Sequence, residues 1–177
     1  HAMKILPSEV HRTLLPALVV AGSRRSEVGT FEVVDAEGRP WRPRDLAFIP
    51  GRMPLEADLR LECLVEVGRN VLDFRLWYRH RGYARIGDEA DDLQEVTVEK
   101  QLALLISDEG RGPRAPDEAR HRDIELQAEG YVVVRFERSD LWRDAIGHAD
   151  EALRTLVETA RFDCHTQVTE IERARQE

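Results

Sequence analysis

Hydrophobic positions along this chain change their spacing several times, and the changes divide it into helices and strands. The stretch RHRDIELQAEGYVVVRF, residues 120–136, has helical spacing up to Gly130 and then a continuous apolar run. Glycine commonly ends a helix because it adopts the left-handed conformation without steric cost. The stretch therefore predicts a helix, a glycine stop and a strand, with Leu126, Val133 and Phe136 in the core.

The beginning of the chain predicts one helix followed by strands. Residues 7–22 have helical spacing, with Ser8 as a capping residue, and Pro16 is expected to end or kink this helix. Residues 30–50 then predict a strand, a turn and a second strand. Two further apolar runs are separated only by the short loop 68–70, which predicts a β-hairpin.

The rest of the chain alternates between strand and helix. Residues 82–93 are polar and contain glycine, which predicts a long loop, and the run Leu102–Ile106 predicts a buried strand. After the strand at 131–137, a further helix is expected up to about residue 156, capped by Ser139 and Asp140 and anchored by Trp142. The charged tail beyond it predicts either a frayed helix or a partner-binding segment.

This order of elements predicts an α/β architecture, specifically an α+β mixed sheet with helices on its faces. A length of 177 residues suits a single domain. We expect that domain to span 3–177, with the N-terminal helix and strands in 3–60, a core in 61–160 and a charged helical tail in 161–177. His1 and Ala2 are interpreted as the remnant of a tag.

Composition narrows the function classes. The formal net charge of −8 argues against non-specific coating of nucleic acid, although a local basic groove or a carboxylate metal site remains compatible with it. No apolar run approaches the roughly 20 residues of a membrane-spanning helix, so we expect no membrane partner. The two cysteines are far apart and lack metal-type spacing, which favours a reducing, cytoplasmic location.

One recurring pattern connects these predictions to a known superfamily. The pattern consists of Arg122, Leu126, Gly130-Tyr131, Val133 and Arg135-Phe136, followed by the capped helix SDLWRDA. It resembles the C-terminal half of the restriction-endonuclease-like, or PD-(D/E)xK, superfamily, and is similar to the small domains of the very-short-patch-repair endonuclease type. The resemblance covers about residues 64–157. It implies a mixed sheet in which one strand carries an aspartate and the next carries a glutamate.

The resemblance also implies candidate site residues. Asp73 in VLDFRLWY matches the aspartate of the first strand, and LALLISDEG matches the second strand. Ser107 stands where the superfamily has its metal-binding glutamate, and Glu109 stands near the next acidic position. A slip of one residue would place Asp108 in the metal site, although it would also invert the faces of the strand.

These residues together imply a nuclease that cleaves phosphodiester bonds in DNA with Mg²⁺ or Mn²⁺. Asp73, Asp108 and Glu109 would be its catalytic and metal-binding residues, since Mg²⁺ prefers carboxylate oxygens and activates an attacking water. Each carboxylate also has an ordinary structural interpretation. Asp73 would then be a solvated strand position, and Asp108 and Glu109 would be turn-forming acids before Gly110.

A run of arginines and aromatic residues is the candidate nucleic-acid contact. RLWYRHRGYAR, residues 75–85, combines cations that can hold phosphates with rings that can stack on bases. We predict DNA contacts from Arg79, Arg81 and Tyr83, and from Arg122, which alternatively forms a structural ion pair. The other interpretation is a strand end followed by a solvated loop whose charges are balanced by the acidic residues 88–92.

Three functional hypotheses follow. The first is a divergent metal-dependent nuclease, and the alternative is a catalytically inactive nuclease-fold subunit for DNA recognition or protein assembly in a defence, mobile-element or repair complex. In the second case the C-terminal tail is a candidate surface for a protein partner. An unrelated α/β binding module is a third interpretation. Convergence of Asp73 with Asp108 or Glu109 would separate the first hypothesis from the others.

Overall fold

A computed structural model describes residues 8–25, 31–34, 40–41, 58–88, 92–107 and 115–176. Their secondary structure comprises α1 (Glu9–Ser23), β1 (Phe31–Val34), β2 (Pro40–Trp41), β3 (Leu59–Val67), β4 (Asn70–Arg85), β5 (Leu93–Ser107), α2 (Ala115–Ala128), β6 (Tyr131–Glu137) and α3 (Arg138–Gln176). The predicted helix, glycine stop and strand are confirmed as α2, Gly130 with a φ of 90° and β6.

The strands form one mixed sheet in the order β2-β1-β3-β4-β5-β6. The pairs β1–β3 and β5–β6 are parallel, and the other neighbouring pairs are antiparallel. A large core lies between one face of the sheet and helices α1 and α3, whereas α2 packs through Leu126 on part of the other face. The predicted class, a mixed sheet flanked by helices, is therefore confirmed.

Helix α1 begins where its sequence indicates and continues past Pro16. Ser8 is the N-cap, with extended backbone angles, and its side chain accepts a hydrogen bond from the backbone N–H of His11. Of the two expectations for Pro16, that it ends the helix or kinks it, the first is wrong, because α1 continues to Ser23. Burial of Leu14 and Leu18 against the sheet and α3 offsets the hydrogen bond that a proline inside a helix removes.

The central hairpin is also longer than its sequence suggests. The short turn after β3 is confirmed, and Gly68 there has a φ of 56°. The predicted loop over residues 82–93 is shorter than expected, because β4 extends to Arg85 and β5 begins at Leu93. Gly82 pairs with Val96 within this extension. The extension lies beneath the C-terminal half of α3, whose packing makes these polar residues part of the sheet.

Helix α3 is interrupted near its start. Asp144 has non-helical angles, with φ −152° and ψ 72°, and its Oδ1 accepts the N–H of Gly147 at 2.8 Å. Asp144 therefore caps the long segment that continues to Gln176, in the manner of an N-cap residue. The expectation that Trp142 anchors this helix is wrong, since its side chain is 53% exposed. Among the described helices, none is long and apolar enough to cross a membrane.

The tail of α3 packs against the sheet. Cys164 is buried, and Val168 and Ile171 lie against the main core. Arg175 at the end of the helix donates to the carbonyl of Gly87 and to Asp88, which belongs to the acidic stretch between β4 and β5. The apolar residues of the predicted partner-binding tail therefore pack against the core of the same chain.

We expect one histidine beneath this tail to make stability depend on pH. Burial lowers the pKa of His80, and the positive charge of Arg161 on α3 lowers it further. In the unfolded chain this pKa is 6.5, so the folded state resists protonation. The contribution of neutral His80 is therefore fully present above about pH 6.5 and is lost as the pH falls through the lower folded pKa.

The measurement is the unfolding temperature of the wild type, His80→Gln and Arg161→Gln between pH 8 and pH 5. His80→Gln should show a smaller loss of unfolding temperature on acidification than the wild type. Arg161→Gln should show an intermediate loss, because burial, the larger cause, remains. Parallel curves for all three proteins would contradict this assignment.

Candidate functional site

Asp73 lies at an irregularity of the central hairpin. Phe74 belongs to the core beneath α1 and α3, whereas Leu72 belongs to the core beneath α2. Side chains two positions apart normally share a face of a strand, so β4 reverses its faces at Asp73. Opposite it on β3, Leu64 has a positive φ of 54°, which is rare for a residue other than glycine. Leu72 and Phe74 therefore do not share one face of the sheet, as regular alternation along the strand would require.

The carboxylate of Asp73 is held by two hydrogen bonds from other elements. The regular pairing of β4 with β5 begins at Phe74 and Leu104, and beyond it the N–H of Ile106 donates to Oδ2 of Asp73 at 2.7 Å. Oδ1 lies 2.6 Å from Nε2 of His11 on α1. Asp73 therefore joins the end of β5 to the start of α1.

His11 also contacts the capping residue of its own helix. Its Nδ1 lies 2.5 Å from Oγ of Ser8, and its ring is 5.8 Å from the ring of Phe74. The side chain of His11 is only 10% exposed, and that of Asp73 is 23% exposed. Ser8, His11 and Asp73 thus form a largely buried chain of hydrogen bonds, which we call the Asp73 relay.

Two arginines lie next to the Asp73 relay. Arg135 on β6 forms an ion pair with Asp123 of α2 and donates to the hydroxyl of Ser107 at 3.3 Å. Arg122 donates to the carbonyl of Val71. Burial lowers the pKa of Arg122, the Asp73 carboxylate opposes this, and Arg135 lowers it further. Arg122 therefore already places a positive charge near the carboxylate of Asp73.

The described residues do not fit a divalent metal centre. Mg²⁺ requires several hard oxygen ligands, but both oxygens of Asp73 accept hydrogen bonds from the protein. The hydroxyl of Ser107, at the predicted glutamate position, accepts a hydrogen bond from Arg135. Within the described parts of the chain, no three histidine, cysteine or acidic side chains come together as a metal site. Asp108 and Glu109 lie outside the described residues.

The predicted DNA-binding run is divided between the two faces of the sheet. Tyr78 is buried in the main core, whereas Trp77, Arg79, Arg81 and Tyr83 lie on the opposite, outer face of β4. We call these four residues the outer β4 face. The alternation of the strand therefore leaves only half of the run available to a ligand.

The arginines of the outer β4 face are paired with acidic residues. Arg79 donates to Glu99 on β5 at 3.0 Å and lies 5.0 Å from the ring centre of Trp77. Arg81 is 3.6 Å from Asp58, and Tyr83 is 57% exposed. The positive charge that would attract phosphates is therefore largely neutralised within the sheet.

The structure does not bring all the predicted site residues together. Arg122 lies near Asp73, but Arg79 follows Asp73 by six positions on β4 and Tyr83 by ten. At about 3.3 Å per residue, Arg79 lies roughly 20 Å along β4 from Asp73. Arg122 and the outer β4 face are thus separate locations.

The other members of the Asp73 relay have little signature in the sequence. Ser8 is recognisable there only as a cap, and His11 carries no signal of a site. The spacing of three residues between them is the only local signal, because it places both at the first turn of α1. The contact of His11 with Asp73 joins residues 62 positions apart, so it has no local signature.

The two cysteines have no evident chemical role. Both Cys63 and Cys164 are unpaired and buried. Burial, together with the nearby Glu62, raises the pKa of Cys63 to about 12. A thiol with this pKa stays protonated at neutral pH and is a poor nucleophile.

Searches for relatives found no match among protein-family models, curated proteins or solved structures.

Proposed function

We propose that this chain is a nuclease-like subunit that lacks nuclease activity and acts through protein assembly. The observation that carries the proposal is the occupation of both Asp73 oxygens by His11 and Ile106. A carboxylate that accepts one hydrogen bond on each oxygen from its own protein joins two parts of the fold as a structural clasp, and these donors compete with a metal for its lone pairs. The order of β4, β5, α2 and β6 along the chain is the order that the resemblance to restriction-endonuclease-like domains implies, and it supports the nuclease-like part of the proposal.

Electrostatics supports assembly over DNA recognition. Arg79 and Arg81 each lie against an acidic side chain, and the whole chain carries a net charge of −8. DNA binding needs uncompensated cations that release counterions from phosphates. Protein partners instead contact exposed aromatic and aliphatic side chains, and α3 presents Trp142 and Ile146 with 53% and 51% exposure.

The second candidate is an active Mg²⁺- or Mn²⁺-dependent endodeoxyribonuclease. It is favoured by the direct contact of Asp73 with Ile106, because Asp108 and Glu109 follow two and three positions later in the chain. In that case these three carboxylates would hold the ion. The ion would supply an activated water and neutralise phosphate charge.

The experiment that separates the two candidates is nicking of supercoiled plasmid in Mn²⁺ by the wild type and Asp73→Asn. We expect no cleavage by either protein. Cleavage by the wild type that is lost in Asp73→Asn would contradict our proposal and establish the nuclease. Equal cleavage by both would indicate a contaminating enzyme, and the assay would then be repeated on protein purified further until the two preparations are clean.

DNA recognition is tested on the same preparations. Fluorescence anisotropy with a labelled duplex should show no binding up to about 100 µM protein, the weak end of non-specific DNA affinities. Arg79→Glu provides the matched variant. Binding by the wild type that weakens in Arg79→Glu would replace assembly with DNA recognition as the function.

A further inference from the structure

The Asp73 relay has the connectivity of a nucleophile, a base and an acid. Oγ of Ser8 is 2.5 Å from one nitrogen of His11, and the other nitrogen is 2.6 Å from the carboxylate of Asp73. The imidazole therefore lies between a hydroxyl and a carboxylate, within hydrogen-bond reach of both. This is the geometric requirement for activation of a serine by general base catalysis.

We propose that Ser8 is a nucleophile activated by His11, and that it transfers short acyl groups from activated esters to water. Ser8 and His11 are the catalytic residues in this proposal, and Asp73 is a positioning residue. The activity is independent of the proposed assembly function. It uses Asp73 as an anion that holds an imidazole, which is the role its hydrogen bonds already define.

The tautomer of His11 follows from its partners. A carboxylate only accepts hydrogen bonds, so Nε2 of His11 carries the proton that faces Asp73. Nδ1 then has a free lone pair, and the hydroxyl of Ser8 donates to it. The nitrogen next to Ser8 is thus the basic one, as proton removal from the hydroxyl requires.

The position of Ser8 supplies stabilisation for a developing negative charge. Ser8 is the N-cap of α1, so the helix begins at the next residue. The N–H groups of a first helical turn point toward the N-terminus and lack partners within the helix. Since the Ser8 side chain already accepts the N–H of His11, the N–H groups of Glu9 and Val10 are the ones suited to stabilise an oxyanion beside Ser8, assisted by the positive end of the helix dipole. Ser8 is half-buried, which favours small substrates.

The proposed reaction balances as an ester hydrolysis. Oγ of Ser8 bonds to the acyl carbon while its proton moves to Nδ1 of His11, and Asp73 stabilises the resulting imidazolium. Cleavage of the ester bond releases the alcohol, which takes the proton from His11. Water then attacks the acyl-serine, gives its proton to His11, and the carboxylic acid leaves as Ser8 regains its hydrogen.

The chain contains an internal control serine. Ser23, at the other end of α1, is exposed, and its hydroxyl donates to the carbonyl of Val20 at 3.0 Å. It is thus more accessible than Ser8, but a carbonyl cannot remove its proton. If accessibility alone decided reactivity, Ser23 would react faster than Ser8.

The test uses a fluorophosphonate probe, in which the serine oxygen bonds to phosphorus, fluoride leaves and the proton passes through the base to water. Peptide mass spectrometry of the labelled full chain gives the rate at each serine. We expect Ser8 to react about 100-fold faster than Ser23, the lower end of the acceleration from a general base. Reaction of Ser8 at or below the rate of Ser23 would overturn the proposal.

Two variants test the role of the base. His11→Gln should reduce labelling at Ser8 to the level of Ser23, and Ser8→Asn, which retains a capping side chain, should abolish labelling at this position. Circular dichroism establishes that each variant is folded. Undiminished labelling of Ser8 in folded His11→Gln would overturn the proposal. If His11→Gln does not fold, the comparison of Ser8 with Ser23 in the wild type decides alone.

Discussion

Replacing Asp73 by alanine should lower the free energy of unfolding by about 3 kcal/mol. The substitution leaves the imidazole of His11 and the N–H of Ile106 without their acceptor, and each buried polar group left unpaired costs roughly 1–3 kcal/mol. It also releases the start of α1 from the end of β5. The measurement is urea unfolding followed by circular dichroism at neutral pH.

Matched variants show whether the clasp itself is responsible. Asp73→Asn keeps one oxygen for Ile106 and should cost less than Asp73→Ala. Glu99→Ala, which removes an exposed ion pair with Arg79, should cost at most about 1 kcal/mol. In a metal-free protein, neighbouring carboxylates often repel a metal-ligating side chain. Replacing that side chain therefore leaves the free energy of unfolding unchanged or raises it. A neutral or stabilising Asp73→Ala would contradict the clasp and strengthen the nuclease hypothesis.

Replacing Gly82 by alanine should lower the free energy of unfolding by about 2 kcal/mol, within the range for overpacking a core. A Cβ at this position would lie 2.6 Å from Sγ of Cys164 and 3.6 Å from Val168. The first distance is far inside van der Waals contact, so the strand or α3 must move. Because α3 covers β4 and β5 here, the sheet cannot shift freely. Chemical denaturation measures the loss.

A double-mutant cycle identifies the contact that is responsible. Cys164→Ala removes the sulfur atom and costs some buried surface, but it also makes room for a new methyl group at position 82. Gly82→Ala combined with Cys164→Ala should therefore be about 1 kcal/mol more stable than the sum of the single changes, a typical coupling for residues in contact. Strict additivity would show that the cost of Gly82→Ala has another origin.

The candidate site could be predicted from the sequence only in part. Asp73 stands out as a carboxylate between two apolar strand residues, and the structure places it where β4 reverses its faces. Its chemistry depends on His11, whose contact joins residues 62 positions apart. The arginine and aromatic run is visible in the sequence, but the pairing of β4 with β5 places Glu99 against Arg79 and neutralises it. Such pairings depend on strand register.

Local signals were sufficient where a single stretch determines its own conformation. Helix α2, the glycine stop at Gly130 and strand β6 follow from spacing and backbone preference, and so do the Ser8 cap and the turn at Gly68. Each depends on interactions among residues a few positions apart. For this reason the sequence alone determined these elements and the class of the sheet.

Only the tertiary structure decided which elements continue and which side chains meet. Pro16 stays within a helix because α1 packs on the sheet and α3, and residues 82–85 are strand because Gly82 allows α3 to approach. Asp73 became a clasp because the reversal of faces in β4 directs it toward His11 and Ile106. The physical reason is common to all three: packing energy between distant segments exceeds the local preferences of a few residues.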